Sequence, residues 1–383
     1  MLHTSYLELS KSALQNNIQF LKQQIAPQVQ LSSVIKGNAY GHGIEQFAPL
    51  AQECGINHFS VFSTDEAHRL LQALPQRATI MILGFIDEAA MEWVVANEIE
   101  FFVFDVERLA EAIEAAKKTG KKAKVHLELE TGMNRSGFDR TNLVHAQAML
   151  RNNKEHLLLQ GVCTHLAGAE SLQNHERVLR QQEIFAKALQ RLRGQGHAPN
   201  QRHVACSAAM ISYPESHLDM VRVGIMQYGL WPSPETYRQF IGQHEDKVDP
   251  LQRVISWKSR VMGLKHVPQG EYIGYGTSFQ APRDMNLALI PVGYSCGYSR
   301  SLSNQGQVLV RGHRASVVGI VNMNMMMVDV TNIPEAGRGD EVILLGKQGD
   351  EVITVASFGE LSTQLNYELL TRLPLTIPRY VVE

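Results

Sequence analysis

The stretch LSSVIKGNAYGHG, Leu31 to Gly43, starts as a short apolar run and reaches a lysine, Lys36, where that run ends. Three glycines, a tyrosine and a histidine follow directly. A short run with β-branched residues predicts a buried strand, and the glycines predict a turn behind it. The predicted strand therefore ends with an amine at its carboxyl end. The side chains at the carboxyl ends of the other predicted strands then decide whether a functional site lies there.

Similar runs recur along the first two-thirds of the chain, and helical periodicity fills most of the gaps between them. Near-continuous apolar strands alternating with helices predict a parallel sheet covered on both faces. Eight strands are the number that a (β/α)8 barrel requires. A doubly wound open sheet is the alternative, but no GxGxxG follows any strand. The predicted strands are residues 32–36, 58–63, 78–84, 100–104, 124–130, 159–165, 203–206 and 220–224.

The alternation of predicted strands and helices stops after about residue 240. The polar segment GQHEDKVDP, residues 242–250, is typical of a linker. Strand-like runs punctuated by turn residues follow it, for example QVLVRG at 307–312 and EVILLG at 341–346. These runs predict an all-β C-terminal domain, with a short helical stretch near residues 357–365.

Composition narrows the class of protein. The chain has 383 residues, 44% of them hydrophobic, and a formal net charge of −2. This balance does not favour binding to nucleic acid or to a membrane surface. No apolar run is long enough for a secretory signal or a membrane helix. The four cysteines are scattered without a CxxC pair, which favours reduced thiols in a cytoplasmic protein and no metal site.

Several chemically active side chains follow the predicted barrel strands at their carboxyl ends, where barrel enzymes carry their active sites. Each has an ordinary explanation by itself: a surface amine, a core histidine or an ion-paired arginine. Their arrival at the same rim favours a functional site instead. They are Lys36, Arg135, His165, Ser207, Arg222 and the pair Gly224 and Ile225.

This set suits one cofactor. The loops after strands seven and eight are the usual phosphate site of the fold, and Ser207 offers a hydroxyl and backbone N–H groups there. Gly224 allows close approach of the backbone. Lys36 is a nitrogen nucleophile that can bond to an aldehyde. A phosphate site facing such an amine suggests pyridoxal phosphate, an electron sink for carbanions.

The chain resembles the alanine racemases, a pyridoxal-phosphate-dependent family, over nearly its whole length. The motifs that carry the resemblance are SVIKGNAYGHG, ETGMNRSG, THLAGAE, ACSAA, VRVGIMQYG, YIGYGTSF, IPVGYSCGYSR, NMNMMMVDV and NYELLTRLPLTIPRY. It implies a barrel over residues 11–243, a β domain over 244–383, and a strand within 1–10 that packs on the β domain. It also implies a homodimer in which each β domain completes the partner's active site.

The resemblance also implies roles for individual residues in a two-base mechanism. Lys36 would hold the cofactor and act as one base, and Tyr275 of the other subunit would act as the second, partly as a phenolate. Arg135 and the backbone at Met323 would hold the substrate carboxylate, and Tyr294 would line the entrance. The phosphate would be bound by Tyr40, Ser207, Gly224, Ile225 and Tyr367.

Arg222 would face the pyridine nitrogen, with His165 beside the ring. Arginine stays charged and can only donate a hydrogen bond, so the ring nitrogen would stay unprotonated. The carbanion would then be reprotonated quickly at Cα, which limits transamination. This hypothesis predicts that Arg222→Glu raises side transamination.

Four positions depart from the family's pattern. Glu128 stands where many members have a carbamylated lysine, and it would supply the anion that holds Arg135. Ile320, Asn324 and Cys296 replace an arginine and two aspartates around the entrance. The entrance is therefore less charged than is usual, which leaves a substrate other than alanine open.

Three alternatives compete with an alanine racemase. The first is a racemase of broader or longer-chain specificity, for serine or lysine, although its secreted relatives carry signal peptides. The second is a fold-related decarboxylase, whose CxxD-type motif Cys296 fits poorly. The third is a non-catalytic protein that binds pyridoxal phosphate, a single-barrel class without the β domain. Retention of Tyr275 argues against this third reading.

Overall fold

A computed structural model describes residues 3–356 and 366–383. The chain forms two compact units. The barrel unit comprises Ala13–Ala39 and Ala48–Gln252, and the β unit comprises Met1–Ser12, Tyr40–Phe47 and Arg253–Glu383. The helical stretch expected near residues 357–365 lies outside the described residues.

The described strands are numbered here along the chain. They are β1 Ser5–Ser10, β2 Gln30–Val34, β3 His58–Val61, β4 Thr79–Ile82, β5 Glu100–Val103, β6 Ala123–Glu128, β7 Leu157–Cys163, β8 Gln201–His203, β9 Met220–Val223, β10 Ile255–Arg260, β11 Gly263–Val267, β12 Met285–Ile290, β13 Gln307–Val310, β14 His313–Val318, β15 Met326–Asp329, β16 Glu341–Gln348, β17 Glu351–Ile353 and β18 Arg379–Val382.

Eight parallel strands form the barrel, in the order β8-β7-β6-β5-β4-β3-β2-β9. The two outer strands meet through a parallel bridge between Cys206 and Arg222, where Arg222 N–H donates to Ala205 O at 3.0 Å. The predicted (β/α)8 barrel is confirmed. The first barrel strand, β2, ends at Val34 rather than at Lys36, and the backbone turns left-handed immediately after the lysine.

Helices cover the barrel strands, and their ends follow local chemistry. Asp105 and Asp139 cap the helices that follow them by accepting backbone N–H bonds, and Gly120 ends a helix in the left-handed conformation. The α-helices are Lys11–Gln23, Ile44–Glu53, Thr64–Ala73, Met91–Ala96, Val106–Thr119, Arg140–Asn152, His175–Gly194, Ser207–Ser212, Pro234–Gly242 and Asn366–Thr371. Short 3-10 turns lie at Glu88–Ala90, Leu172–Asn174, Pro214–Ser216, Ile225–Tyr228, Tyr294–Cys296 and Arg300–Leu302.

The β unit contains a ten-stranded sheet in the order β11-β12-β15-β14-β13-β16-β10-β1-β18, with β17 paired to β16. The amino-terminal strand β1 runs antiparallel to β10 and parallel to β18. The expected all-β C-terminal domain is confirmed. Its sheet takes in the first strand of the chain, so both ends of the sequence belong to one layer.

An apolar cluster in the β unit anchors the hairpin of residues 272–280. Ile273, Ala281, Met285 and Met327 are buried together, and Phe279 packs against them. Ile273 N–H donates to Phe279 O at 2.9 Å across the hairpin.

Among the described helices, none is long and apolar enough to cross a bilayer. All four cysteines are free thiols.

Candidate active site

Lys36 lies two residues beyond the end of β2, at the carboxyl rim of the barrel. Among the described residues, nothing forms a hydrogen bond or ion pair with its amine. The surrounding protein and the positive charge of Arg135 lower the pKa of the amine, Glu66 opposes the shift, and Arg222 adds to it. A lowered pKa leaves more of the neutral amine, which is the nucleophilic form.

The backbone directly after Lys36 is left-handed over four successive residues. Gly37, Asn38, Ala39 and Tyr40 have φ values between 50° and 61°. Left-handed geometry costs a non-glycine residue roughly 1–2 kcal/mol. Such strain persists only where the surrounding structure holds it, typically at functional sites.

Glycine ends this left-handed run for a steric reason. Gly41 has a φ of 82°, and a Cβ atom there would lie 1.9 Å from the carbonyl oxygen of Leu370. Any larger residue would force the two backbone segments of the β unit apart. The glycines after Lys36 therefore predicted a turn correctly, but they did not reveal its handedness.

Arg222, on β9, is buried, and the two Nη atoms of its guanidinium group are fixed by hydrogen bonds. Its Nη1 donates to Nδ1 and to the backbone oxygen of His203, and its Nη2 donates to Thr164 O at 2.8 Å. All hydrogen bonds from its guanidinium group to described residues leave from the two Nη atoms. The Nε–H group thus stays available to an acceptor on a ligand.

A chain of buried polar side chains continues from Arg222 into the barrel interior. His203 Nε2 lies 2.9 Å from His126 Nδ1, and His126 Nε2 lies 2.9 Å from Glu100 Oε2. His58 Nε2 lies 3.6 Å from the same oxygen. Because Arg222 can only donate, His203 accepts at Nδ1 and donates from Nε2, and His126 passes the same direction on to Glu100.

The protonation states along this chain follow from burial. Desolvation, with Arg222 nearby, holds the pKa of His203 well below its usual value. Desolvation also lowers the pKa of His126, although Glu100 opposes the shift. Burial alone would raise the pKa of Glu100, but the hydrogen bond from His126 and the proximity of His58 lower it to about 2. Two neutral imidazoles therefore separate a cationic arginine from an anionic glutamate.

The sequence alone did not reveal this series of hydrogen-bonded side chains. Glu100, His126 and His203 belong to three different predicted strands, and only closure of the barrel brings them together. A signal was present, because charged or polar residues inside apolar strands must find partners when they are buried. Their periodicity alone does not say which partners they find.

His165 follows β7 and lies among the same positive groups. Desolvation, followed by the charges of Arg222, Arg135 and Lys36, lowers the pKa of His165 to about 3. The imidazole is therefore neutral near pH 7. These electrostatic couplings also mean that four of the expected site residues converge at the rim of the barrel unit.

Ser207 and Gly224 meet at the end of the barrel expected to bind phosphate. The Ser207 hydroxyl accepts a hydrogen bond from Gly224 N–H at 3.0 Å. Ser207 begins a short helix, and Ile225 begins a 3-10 turn. Backbone N–H groups at the first turn of a helix have no intrahelical partners and are suited to an anion.

The β unit brings together the two remaining residues expected to bind phosphate. The rings of Tyr40 and Tyr367 are 6.1 Å apart between centroids, at an angle of 72°. Edge-to-face packing of this kind orients both phenols.

Glu128 and Arg135 differ in their exposure and are not bonded to each other within the described residues. Glu128 is buried, and its Oε2 accepts from the Ser136 hydroxyl at 2.8 Å. Within the described residues, no hydrogen bond or ion pair joins Glu128 to Arg135, whose side chain is exposed. The idea that Glu128 holds Arg135 directly stays a prediction.

Tyr275 lies at the tip of the anchored hairpin in the β unit and is 71% exposed. Gly274 and Gly276 flank it, with φ values of 78° and 65°. The phenol forms no hydrogen bond with any described residue. The hairpin therefore presents the side chain outward on a fixed base.

Tyr294 and Met323 are held side by side in the β unit. Tyr294 N–H donates to Asn322 O, and Ser295 donates to Met323 O through its backbone at 3.0 Å and its hydroxyl at 2.7 Å. Gly293 permits this approach, since a Cβ atom there would lie 2.1 Å from Asn322 O. The Met323 N–H is not used in these bonds.

Two family models together cover most of the chain. The model of the alanine racemase N-terminal domain matches residues 9–232, and the model of the C-terminal domain matches residues 254–381. The chain belongs to the alanine racemase family. The family comprises isomerases that generally depend on pyridoxal phosphate.

Individual family members resemble the chain from end to end. An alanine racemase of Leptospira interrogans is 36% identical over 382 residues, which cover 100% of this chain and 96% of that protein. The structure of a Bacillus anthracis alanine racemase with bound L-Ala-P has a TM-score of 0.91 at 31% identity, covering 100% and 96% of the two chains. A Bartonella henselae alanine racemase with covalently bound pyridoxal phosphate has a TM-score of 0.83 at 26% identity, covering 99% and 100%.

The donor set of this member of the alanine racemase family fits pyridoxal phosphate. Lys36 offers an amine with a lowered pKa, Arg222 offers an unused Nε–H, and the strand ends near Ser207 and Gly224 offer polar groups suited to a phosphate. Each group matches one functional part of the cofactor: aldehyde, ring nitrogen and phosphate.

Proposed function

We propose that this chain interconverts L- and D-alanine, with pyridoxal phosphate held by Lys36 in the barrel unit. The observation that carries the proposal is the cluster of Lys36, Arg222 and a neutral His165, in which the pKa of the lysine amine is lowered. When bound, pyridoxal phosphate supplies an electron sink for the electron pair left at Cα by proton removal.

The chain's own residues would then move protons at the substrate Cα. Lys36 Nζ would take or return the proton on one face, and Tyr275 Oη from a second copy would do so on the opposite face. Arg135 and the Met323 N–H would hold the substrate carboxylate, which fixes the orientation of the Cα–H bond. Two bases on opposite faces exchange the configuration without rotating the substrate.

Arg222 would hold the pyridine nitrogen through its free Nε–H. The neutral His203 accepts from Arg222 on the other side, so the guanidinium is fixed between two acceptors. Because it stays charged and only donates, the ring nitrogen would remain unprotonated and protons would return to Cα. Ser207, Gly224, Ile225, Tyr40 and Tyr367 would bind the phosphate.

The proposal includes a homodimer in which the β domain of one copy completes the site of the other. A tyrosine that is 71% exposed on an anchored hairpin supports this, because a base needs an environment that excludes water. Tyr294 would line the entrance. The division into residues 1–10, 11–243 and 244–383, and a cytoplasmic location, are part of the same proposal.

Exchange of the α-proton tests the reaction directly. Protein with added pyridoxal phosphate is incubated in D2O with L-alanine, and NMR follows the α-proton signal. We expect that signal to disappear while D-alanine accumulates and no keto acid forms. No exchange with any amino acid despite bound cofactor would instead indicate a non-catalytic binding protein.

A racemase of broader specificity is the second candidate. Asn324 donates to the Ser295 hydroxyl at 3.3 Å beside Met323, so this loop carries no acidic side chain there. Ile320 and Cys296 also bring no charge. Parallel incubations with L-serine and L-lysine separate the candidates, since exchange only with the longer side chains would replace alanine as the substrate.

A further inference from the structure

The left-handed segment Gly37–Tyr40 needs an external restraint. Asn38, Ala39 and Tyr40 are not glycines, yet all have φ values near 50–56°. Left-handed geometry is a minor conformation for such residues. Lys36 is the residue immediately before the segment, so any relaxation of the segment would displace the lysine amine.

A buried carboxylate supplies a restraint. Glu66, in the first turn of the helix Thr64–Ala73, is 8% exposed. Its Oε1 accepts from Asn38 N–H at 3.0 Å, and its Oε2 accepts from Phe62 N–H at 2.9 Å. One side chain therefore joins the end of β3 to the second residue of the left-handed segment.

A second side chain of the same helix holds the same residue. Arg69 Nη2 donates to Asn38 Oδ1 at 2.7 Å. Asn38 is thus held at its backbone by an anion and at its side chain by a cation. A helix cap alone does not explain this pattern, because the bond to Asn38 leaves the helix and crosses to the neighbouring strand end.

We propose that Glu66 is a positioning residue that holds the left-handed segment Gly37–Tyr40 and so aims Lys36 Nζ at the cofactor's aldehyde carbon. This inference rests on the proposed role of Lys36 as the anchor of pyridoxal phosphate. Both oxygens of the Glu66 carboxylate are engaged by backbone N–H groups. Glu66 acts through the backbone of Asn38.

Charge and position have opposite consequences at this site. The carboxylate of Glu66 raises the pKa of the Lys36 amine, against desolvation by the surrounding protein and the charges of Arg135 and Arg222, which lower it. If Glu66 acted only by charge, its removal would leave more neutral amine and speed the reaction with an aldehyde. If Glu66 acts by position, its removal slows that reaction.

The test measures how fast the cofactor-free chain attaches pyridoxal phosphate. Absorbance follows bond formation between Lys36 Nζ and the aldehyde carbon with loss of water, and borohydride reduction with mass spectrometry identifies the modified lysine. For Glu66→Gln we expect attachment about tenfold slower, because an amide cannot accept both N–H bonds. Asp65→Asn is the matched control, an exposed carboxylate in the same helical turn, and should attach at the wild-type rate.

A matched pair at Asn38 keeps the test valid if Glu66→Gln does not fold. Asn38→Gly and Asn38→Ala both lose the bond to Arg69 and differ in their tolerance of positive φ. Attachment should be several-fold faster in Asn38→Gly than in Asn38→Ala. Equal rates in this pair, or unchanged or faster attachment in a folded Glu66→Gln, would overturn the positioning role. Failure of the wild type to attach the cofactor at Lys36 would overturn the proposed function instead.

Discussion

The two proposed bases occupy very different surroundings. The Lys36 side chain is exposed at the rim of the barrel unit, where desolvation by the surrounding protein and the charges of two arginines lower the pKa of its amine. Tyr275 lies on a hairpin of the β unit and is 71% exposed. Residues of one chain supply the surroundings that lower the pKa of Lys36. For Tyr275, the same chain fixes the position of the hairpin but leaves the phenol exposed. Under the proposed function, the lysine half of the chemistry would therefore depend on the barrel unit alone, and the tyrosine half would depend on pairing with a second copy of the chain.

Removing the lysine should have the largest effect. Lys36→Ala deletes both the cofactor anchor and one base, so we expect racemisation to fall by about 10⁴-fold or more. Exchange of the alanine α-proton in D2O measures it. Lys124→Ala, a change on barrel strand β6, serves as the control and should leave the rate near that of the wild type. A folded Lys36→Ala variant with more than a few per cent of the activity would break the assignment.

Removing the phenol tests the other half. Tyr275→Phe keeps the ring and deletes the proton-transfer group, so we expect roughly a 10²- to 10³-fold lower rate. Exchange through the lysine face should fall less than full inversion, since Lys36 is intact. Tyr272→Phe, on the same hairpin and 52% exposed, is the matched control.

Mixing the two inactive variants sharpens the comparison. If sites are shared between copies, a mixed dimer of Lys36→Ala and Tyr275→Phe chains has one site with both bases intact. Random pairing of equal amounts should then restore about a quarter of the wild-type activity. No recovery after verified subunit exchange would mean that both bases of a site come from one chain.

Parts of this architecture could be predicted from the sequence, and the reasons are physical. The eight barrel strands were found because buried parallel strands are almost continuously apolar, and Lys36, His165 and Arg222 met at one rim because parallel strands end at the same edge. The left-handed backbone after Lys36 was not found: Asn38 tolerates positive φ, but Ala39 and Tyr40 do not favour it, so the run depends on the surrounding structure. The bond from Asn38 N–H to Glu66 was also missed, because it depends on how a helix packs against a neighbouring strand end, and the partners of Glu100 were missed because they lie on other barrel strands.

Two buried histidines of the barrel unit should make the free energy of unfolding of the chain depend on pH. His203 and His126 are held neutral in the folded chain, with pKa values below the usual one. The unfolded chain binds protons below about pH 6.5, whereas these buried imidazoles do not. Stability is therefore full above that pH and falls as the pH drops below it, by up to about 1.4 kcal/mol per pH unit for His203, whose pKa is held well below its usual value.

His203→Gln tests this dependence with little change in the hydrogen-bond pattern. The amide can accept from Arg222 and donate to His126, as the neutral imidazole does, but it does not titrate. Urea unfolding between pH 6 and 5 should show a slope shallower by about 1.4 kcal/mol per pH unit than in the wild type. An unchanged slope would mean that His203 is protonated in the folded chain.

The smallest expected effect concerns Glu128 of the barrel unit, which is hydrogen-bonded to the residue next to Arg135. Its carboxylate accepts from Ser136, the neighbour of Arg135, so Glu128→Gln should loosen the loop that carries the arginine. We expect KM for alanine to rise by about three- to tenfold with a smaller change in kcat, because a hydrogen bond to a charged group is weakened rather than lost. Ser136→Ala removes the same bond from the other side and should raise KM by a similar factor. If Glu128→Gln raised KM and Ser136→Ala did not, Glu128 would act on Arg135 by charge through space, and the loop contact would be incidental.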